Sequence, residues 1–276
     1  MRIGKFGPMQ LRFAKMNGAG NDFVVIDNRD GRSSLDRGTI ARLCDRHRGI
    51  GGDGLLVVEP PANGADFRMR YYNADGGEAE MCGNGARCFA RFAAKLANRD
   101  EQVSFETIAG VITARLIGER VCLGMSEPKD LLLNLAISAA GETLTAHFVN
   151  TGVPHAIIFR DDLDHVDVRK LGSAIRWHEQ FAPKGTNANF VRLRPDQTLA
   201  IRTYERGVED ETLACGTGVV AAALIASRLH NLPSPIGVHV RGGEMLEVGF
   251  EQSGDEFHRV TLTGPADFVF EGDIQL

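Results

Sequence analysis

Two cysteines stand in the same tetrapeptide setting, Cys82-Gly83-Asn84-Gly85 and Cys215-Gly216-Thr217-Gly218, and each tetrapeptide runs into a stretch free of Gly and Pro. Such a turn at the start of a helix is chemically loaded. The first four N–H groups of a helix have no internal acceptor, and the macrodipole adds roughly half a positive charge there. A carboxylate or phosphate is stabilised at that spot, and glycines let it approach the backbone closely. A thiol in the same field has its pKa lowered from about 8.5, which brings thiolate within reach near neutral pH. One such turn leaves three readings open: a nucleophilic cysteine, an anion nest or a packing turn. Two copies facing one cleft point further, because one thiol can remove a proton from a carbon while the other delivers one to the opposite face. That is stereoinversion, with the substrate carboxylate held at the helix N-termini. No cofactor is needed if the electrostatics suffice.

The other cysteines suggest no chemistry. Five cysteines without a CxxC pair support neither a zinc site nor a disulfide framework. Cys88 lies among Phe89, Phe92 and Ala93 and reads as a buried small hydrophobe, as do Cys44 and Cys122. "GAGNDF" and "GIGGDG" are Gly-rich, but neither opens a convincing helix, so a dinucleotide fingerprint is a poor fit. No lysine stands in a recognisable Schiff-base setting. The net charge of −5 offers no basic surface for nucleic acid. No apolar run approaches the roughly 20 residues that span a bilayer, and "MRIGKFGPMQLRF" lacks the apolar core of a signal peptide, so a cytoplasmic protein is expected.

What positions the two turns is a long-period duplication. "FRMRYYNADGGEAEMCGNG" from Phe67 lies over "LAIRTYERGVEDETLACGTG" from Leu199, pairing Arg70 with Arg202 and Tyr72 with Tyr204 at an offset of 132. The cysteines are offset by 133, which places one extra residue in "GVEDE". Upstream, "NGAGNDFVV" matches "TGVPHAII" with Gly18 on Gly152 and Asn21 on His155, and Gly51 falls on Gly185. Period-two alternation in "DFRMRYY" and "LAIRTYE" predicts half-buried strands. "ARCFARFAAKLA" carries Cys88, Phe89, Phe92, Ala93 and Leu96 on one helical face, whereas "VVAAALIASRL" is apolar almost all round and must be buried. Strand-like runs follow each helix, with hairpin chemistry at Gly242-Gly243. The expected fold is α+β, with two similar domains, each a mostly antiparallel sheet curled around one buried helix. The expected bounds are 1–126 plus 264–276 for one half and 127–263 for the other.

"KMNGAGNDFVVID", "DRHRGIGGDGLL", "NADGGEAEMCGNGARCFARF", "NTGVPH" and "YERGVEDETLACGTG" occur in an order that resembles the diaminopimelate epimerase family, cofactor-independent two-cysteine enzymes of lysine biosynthesis. The resemblance covers nearly the whole chain. It implies two pseudo-symmetric domains with the active site between them, interconversion of LL- and meso-2,6-diaminoheptanedioate, no cofactor, no metal and, as partners, the small-molecule substrate and a second copy in a homodimer. It implies Cys82 and Cys215 as acid and base, tuned by His155 and Glu205. Gly83 with Asn84, and Gly216 with Thr217, would hold the reacting carboxylate, and Asn21, Asn73, Asn187, Glu205 and Arg206 would contact the substrate's amino and carboxylate ends. The chemistry agrees, since ammonium groups need acceptors and a carboxylate suits a planar fork donor.

Departures from the family pattern are local. Val153 replaces an amide in Gly-Asn-Pro-His, with Asn150 nearby as a substitute, and Gly54 stands where some members have glutamine. The competing readings are turn chemistry for the asparagines and a surface charge pair for Glu205-Arg206. At the level of function they are a proline or hydroxyproline racemase, which has histidine where this chain has Asn84, and a non-catalytic amino-acid-binding protein with two anion nests. The last is disfavoured because a nest needs backbone N–H groups and would be served equally by serine.

Overall fold

The computed structural model describes residues 10–79 and 81–276. Along the chain run β1 (Gln10–Gly18), β2 (Asn21–Asp27), α1 (Arg37–Cys44), β3 (Gly54–Glu59), β4 (Phe67–Asn73), β5 (Glu78–Ala79), α2 (Gly83–Ala97), β6 (Gln102–Thr107), β7 (Gly110–Ile117) and β8 (Arg120–Gly124). Then come β9 (Lys129–Ala139), β10 (Glu142–Asn150), β11 (Pro154–Phe159), α3 (Val168–Arg176), β12 (Asn187–Leu193), β13 (Leu199–Glu205), β14 (Asp210–Thr212), α4 (Gly216–His230), β15 (Ile236–His239), β16 (Met245–Ser253), β17 (Glu256–Pro265) and β18 (Asp267–Gln275). The chain divides into two compact units, Met1–Val121 with Pro265–Leu276, and Cys122–Gly264. Among the described residues no helix is long and apolar enough to cross a membrane.

In the first unit the strand order is β18-β1-β2-β3-β4-β6-β7, with β2–β3 and β4–β6 parallel and the other neighbours antiparallel. In the second it is β9-β10-β11-β12-β13-β15-β16-β17, with β11–β12 and β13–β15 parallel. A parallel pair needs a crossover, usually helical. α2 and α4 supply one in each unit, and α1 and α3 supply the other. Sequence reading missed α1 and α3: both are short, and their start signals, Asp36 accepting from the Thr39 N–H and Asp167 accepting from the Lys170 N–H, lie in polar surroundings.

α2 packs on β1, β2, β3, β4, β6 and β7, and α4 on the corresponding six strands of its own unit, so each sheet wraps its helix. The apolar face expected on α2 is buried through Cys88, Phe89, Phe92 and Ala93, while Leu96 is half-buried. Ala86, Ala90 and Ala94 are buried too, so α2 is enclosed more fully than its amphipathic pattern suggests. α4 is buried from Gly218 to Ser227. Burying each Leu, Val or Ile side chain contributes on the order of 1.5–3 kcal/mol, which fixes both helices and thereby their first turns.

The duplication extends to side chains. Arg70 forks onto Glu78 at 2.8 and 2.9 Å, and Arg202 onto Glu211 at 2.7 and 2.8 Å, each clamping the short hairpin that leads to its cysteine. Tyr72 pairs with Glu78 and Tyr204 with Glu211, which leaves five residues in the first loop and six in the second and locates the extra residue between Glu205 and Asp210.

Candidate active site

Cys82 is the N-cap of α2, in extended backbone (φ −132°, ψ 123°), and its side chain does not cap the helix. The first intrahelical bond, Ala86 N–H to the Cys82 carbonyl at 2.7 Å, leaves the Gly83, Asn84 and Gly85 N–H groups without an intrahelical acceptor. A directed chain of side chains fixes the asparagine beside them. Arg87, fully buried, donates to Asn84 Oδ1 at 2.8 Å; Asn84 Nδ2 donates to Asn21 Oδ1 at 2.6 Å; Asn21 Nδ2 donates to Asp53 Oδ2 at 2.9 Å. Guanidinium at one end and carboxylate at the other leave each amide one orientation. Asp53 is held by Arg46 at 2.9 Å, and Asp22 by Lys15 at 2.7 Å and Arg46 at 2.6 Å. Burial alone would raise the Asp22 pKa, but the bonds from Arg46 and Lys15 hold it well below the usual carboxylate range.

Cys215 is the N-cap of α4 in the same extended conformation (φ −116°, ψ 106°), again with no capping bond from its side chain, and Val219 N–H closes onto its carbonyl at 2.9 Å. Thr217 Oγ1 lies 3.6 Å from the Cys215 sulfur and 2.9 Å from His155 Nε2. His155 Nδ1 meets Asn189 Nδ2 at 3.2 Å, and Thr203 Oγ1 donates to Asn189 Oδ1 at 2.9 Å. His155 and Asn189 are both fully buried. Burial, then the nearby Arg206 charge, push the His155 pKa down to about 3, so its imidazole is neutral at physiological pH. Burial raises the Glu205 pKa against a 2.8 Å bond from Thr212.

The two helix starts are alike in backbone and opposite in what lies behind them. Gly85 of α2 is backed by Leu56 and Phe23, whereas Gly218 of α4 is backed by Asn189 and His155. Strand register agrees: Phe23 opens the pairing of β2 with β3 opposite Gly54, as His155 opens that of β11 with β12 opposite Asn187. His155 is therefore the counterpart of Phe23, and the sequence match of His155 with Asn21 is corrected by two residues. The cause is a loop. Six residues separate the paired Met16 and Phe23 but five separate the paired Val149 and His155, and superposing Gly18 on Gly152 adds one further residue of error. An apolar backing in one unit is thus a buried polar chain in the other.

A family model described as diaminopimelate epimerase matches residues 13–129 and 147–269. The chain is 43% identical to diaminopimelate epimerase of Aquifex aeolicus over 95% of this chain and 97% of that one, and 46% identical to diaminopimelate epimerase of Chlorobaculum tepidum over 95% and 100%. The chain belongs to the diaminopimelate epimerase family. Solved structures share the fold at low identity. A PhzF-family phenazine biosynthesis protein of Bacillus anthracis superposes with a TM-score of 0.72 at 15% identity, covering 97% of this chain and 100% of that one. A hydroxyproline epimerase of Agrobacterium vitis gives 0.65 at 17% identity, covering 100% and 94%.

Within this diaminopimelate epimerase family chain, the expected residues fall into two groups, one per unit. The first unit brings Asn21 and Asn84 together beside Cys82, and Asn73 ends β4 exposed, its side chain without a hydrogen-bond partner among the described residues. The second brings His155, Thr217 and Cys215 together. Asn187 is almost wholly buried and engaged on both sides, accepting from the Arg206 N–H at 2.8 Å and donating to the Pro154 carbonyl at 2.9 Å, so it clamps the Glu205-Arg206 turn to the start of β11. Glu205 and Arg206 are not a surface pair: Glu205 accepts from Thr212, and the Arg206 guanidinium has no acidic partner among the described residues. Asn150 Oδ1 accepts from the Gly152 N–H at 3.1 Å, which commits its carbonyl to the local turn. At Gly54 an added Cβ would meet the Tyr72 carbonyl at 2.5 Å and the Tyr71 ring at 2.7 Å, so the backbone as it lies here leaves no room for a side chain. Cys44 and Cys88 are buried, and burial pushes their thiols up to about 11 and about 12. Sequence reading missed Arg87, Asp53, Asn189 and Thr203. Of these, Arg87 alone carried a signal, a charge on a helix required to be buried.

Proposed function

We infer that the protein interconverts LL- and meso-2,6-diaminoheptanedioate by removing the α-proton with one cysteine and replacing it with the other. The observation that carries this is identity above 40% to named epimerases along nearly the whole chain, joined to both Cys-Gly-x-Gly helix starts. Inversion at carbon needs a base on one face and an acid on the other, and the chain supplies a thiol in equivalent settings in each unit. A thiolate takes the α-proton, the C–H electron pair spreads into the carboxylate, and the second thiol gives its proton to the opposite face. The enzyme ends with thiol and thiolate exchanged, so no oxidant, reductant or net proton is consumed.

In this reading, helix-start N–H groups of Gly83, Asn84, Gly216 and Thr217 stabilise the charge that develops on the reacting carboxylate. Asn21, Asn73 and Asn187 contact the substrate's polar ends, Glu205 accepts from an ammonium, and Arg206 forks onto the distal carboxylate. His155 and Glu205 tune the thiols, His155 as a neutral imidazole. The proposal includes a cytoplasmic homodimer, which sedimentation analysis and cell fractionation check. The functional experiment is incubation with LL-2,6-diaminoheptanedioate, and separately L-proline, in deuterated water. Deuterium in newly formed meso isomer, with none in proline, is expected. Exchange into proline, or none into either substrate, would refute the reading.

A further inference from the structure

Behind Cys215 lies a run of hydrogen bonds whose directions are determined as far as the Thr217 hydroxyl. Asn189 Nδ2 donates to the Ala156 carbonyl at 3.0 Å, and a carbonyl only accepts, so the amide cannot be flipped. The Thr203 hydroxyl donates to the opposite end, Asn189 Oδ1, at 2.9 Å. With the amide N–H₂ facing it at 3.2 Å, His155 Nδ1 must be the acceptor. The neutral ring then carries its proton on Nε2 and donates to Thr217 Oγ1 at 2.9 Å. With Thr217 Oγ1 accepting from histidine, its own proton is free to point at the Cys215 sulfur 3.6 Å away.

We propose that Asn189 and Thr203 are positioning residues that hold His155 as its Nε2–H tautomer, so that the chain from Thr203 through Asn189, His155 and Thr217 ends in a hydroxyl proton aimed at the Cys215 sulfur. The other unit shows that this is not required by the fold. There Leu56 and Phe23 fill the corresponding places, and its helix start stands on an apolar backing. A buried polar chain costs more to satisfy than the apolar packing it replaces, and this one is satisfied at every link. The arrangement gives the Cys215 thiol a donor for its charged form from behind its own helix start. This inference rests on the two-thiol reading above.

The test reads the tautomer directly. Nitrogen NMR of histidine-labelled protein is expected to show His155 Nδ1 unprotonated and Nε2 protonated. Asn189→Asp puts an acceptor opposite Nδ1, so the proton should move to Nδ1, Nε2 should become an acceptor, and the Thr217 hydroxyl should turn away from sulfur. kcat should then fall roughly 10- to 100-fold with little change in KM. Thr203→Val, nearly isosteric and so the safer fold, should lower kcat several-fold, and Thr203→Ser should restore it. A wild-type ring protonated on Nδ1, or an Asn189→Asp ring that flips without slowing turnover, would overturn the proposal. So would equal kcat in Thr203→Val and Thr203→Ser. Absence of epimerisation by the wild type would instead sink the functional reading, which the tautomer measurement does not depend on.

Discussion

A methyl group added at Gly218 and one added at Gly85 should have opposite effects, although the two glycines occupy the same place in the two helices. A Cβ at Gly218 would lie 2.5 Å from Asn189 Oδ1 and 3.4 Å from the His155 ring, and Asn189 cannot retreat because its amide is tied to Thr203, Ala156 and His155. A Cβ at Gly85 would meet Leu56 and Phe23 at 3.4 Å, an ordinary contact. Gly→Ala inside a helix gains up to about 1 kcal/mol, and overpacking costs about 1–3 kcal/mol. Gly85→Ala should therefore be neutral to slightly stabilising and Gly218→Ala destabilising by about 1–2 kcal/mol. The two variants should differ in Tm by roughly 2–5 °C. Gly218→Ala should also lose on the order of 10-fold in kcat, since relief of the clash displaces the group that orients His155. Thermal unfolding of both variants, with turnover measured beside it, decides the matter. Equal stability and equal turnover would mean that the polar chain behind α4 is not packed as described.

Arg206→Lys keeps the charge but loses the planar fork, so KM should rise well beyond the effect of a surface Arg→Lys change, and an unaltered KM would remove Arg206 from recognition. His155 takes up a proton in the unfolded chain near pH 6.5 but in the folded one only near pH 3. Unfolding therefore binds the proton, and stability should drain away as pH falls through that window. His155→Phe, which copies Phe23, should flatten that acid limb in urea titrations while impairing turnover, and an unchanged limb would show that another group controls it. Arg87→Met should cost on the order of 2–4 kcal/mol, because it removes the donors to Asn84 Oδ1 and to the Gly83 and Pro265 carbonyls. It should also raise KM, and full stability in denaturant would contradict its buried role.

The duplicated course of the chain was legible because periodicity and spacing encode it. The alternation in "FRMRYY" and "LAIRTYE", the two apolar helices and the Cys-Gly-x-Gly starts each follow from local pattern. What could not be read was the register between strands distant in sequence. A difference of one residue in a hairpin, five between Val149 and His155 against six between Met16 and Phe23, shifts which side chains stand behind a helix start, and no local signal reveals it. The same limit hid Asn189 and Thr203. Both sit in strands that read as ordinary alternation, and their importance comes from a partner 34 residues away for one and 14 for the other. Asn21 and Asn84 were named separately, and only the folded first unit shows them as consecutive links of one chain from Arg87 to Asp53.

The central claim is that two thiols, one at each helix start, share a single proton inversion. Its most direct test is turnover of LL-2,6-diaminoheptanedioate in deuterated water by the wild type, Cys82→Ala and Cys215→Ala, followed by NMR at the α-carbon. The wild type should place deuterium in newly formed meso isomer before any appears in recovered substrate, and each variant should lose epimerisation by several orders of magnitude while its fold persists by circular dichroism. If either alanine variant epimerises at a rate near wild type, one thiol suffices and the two-base account is wrong.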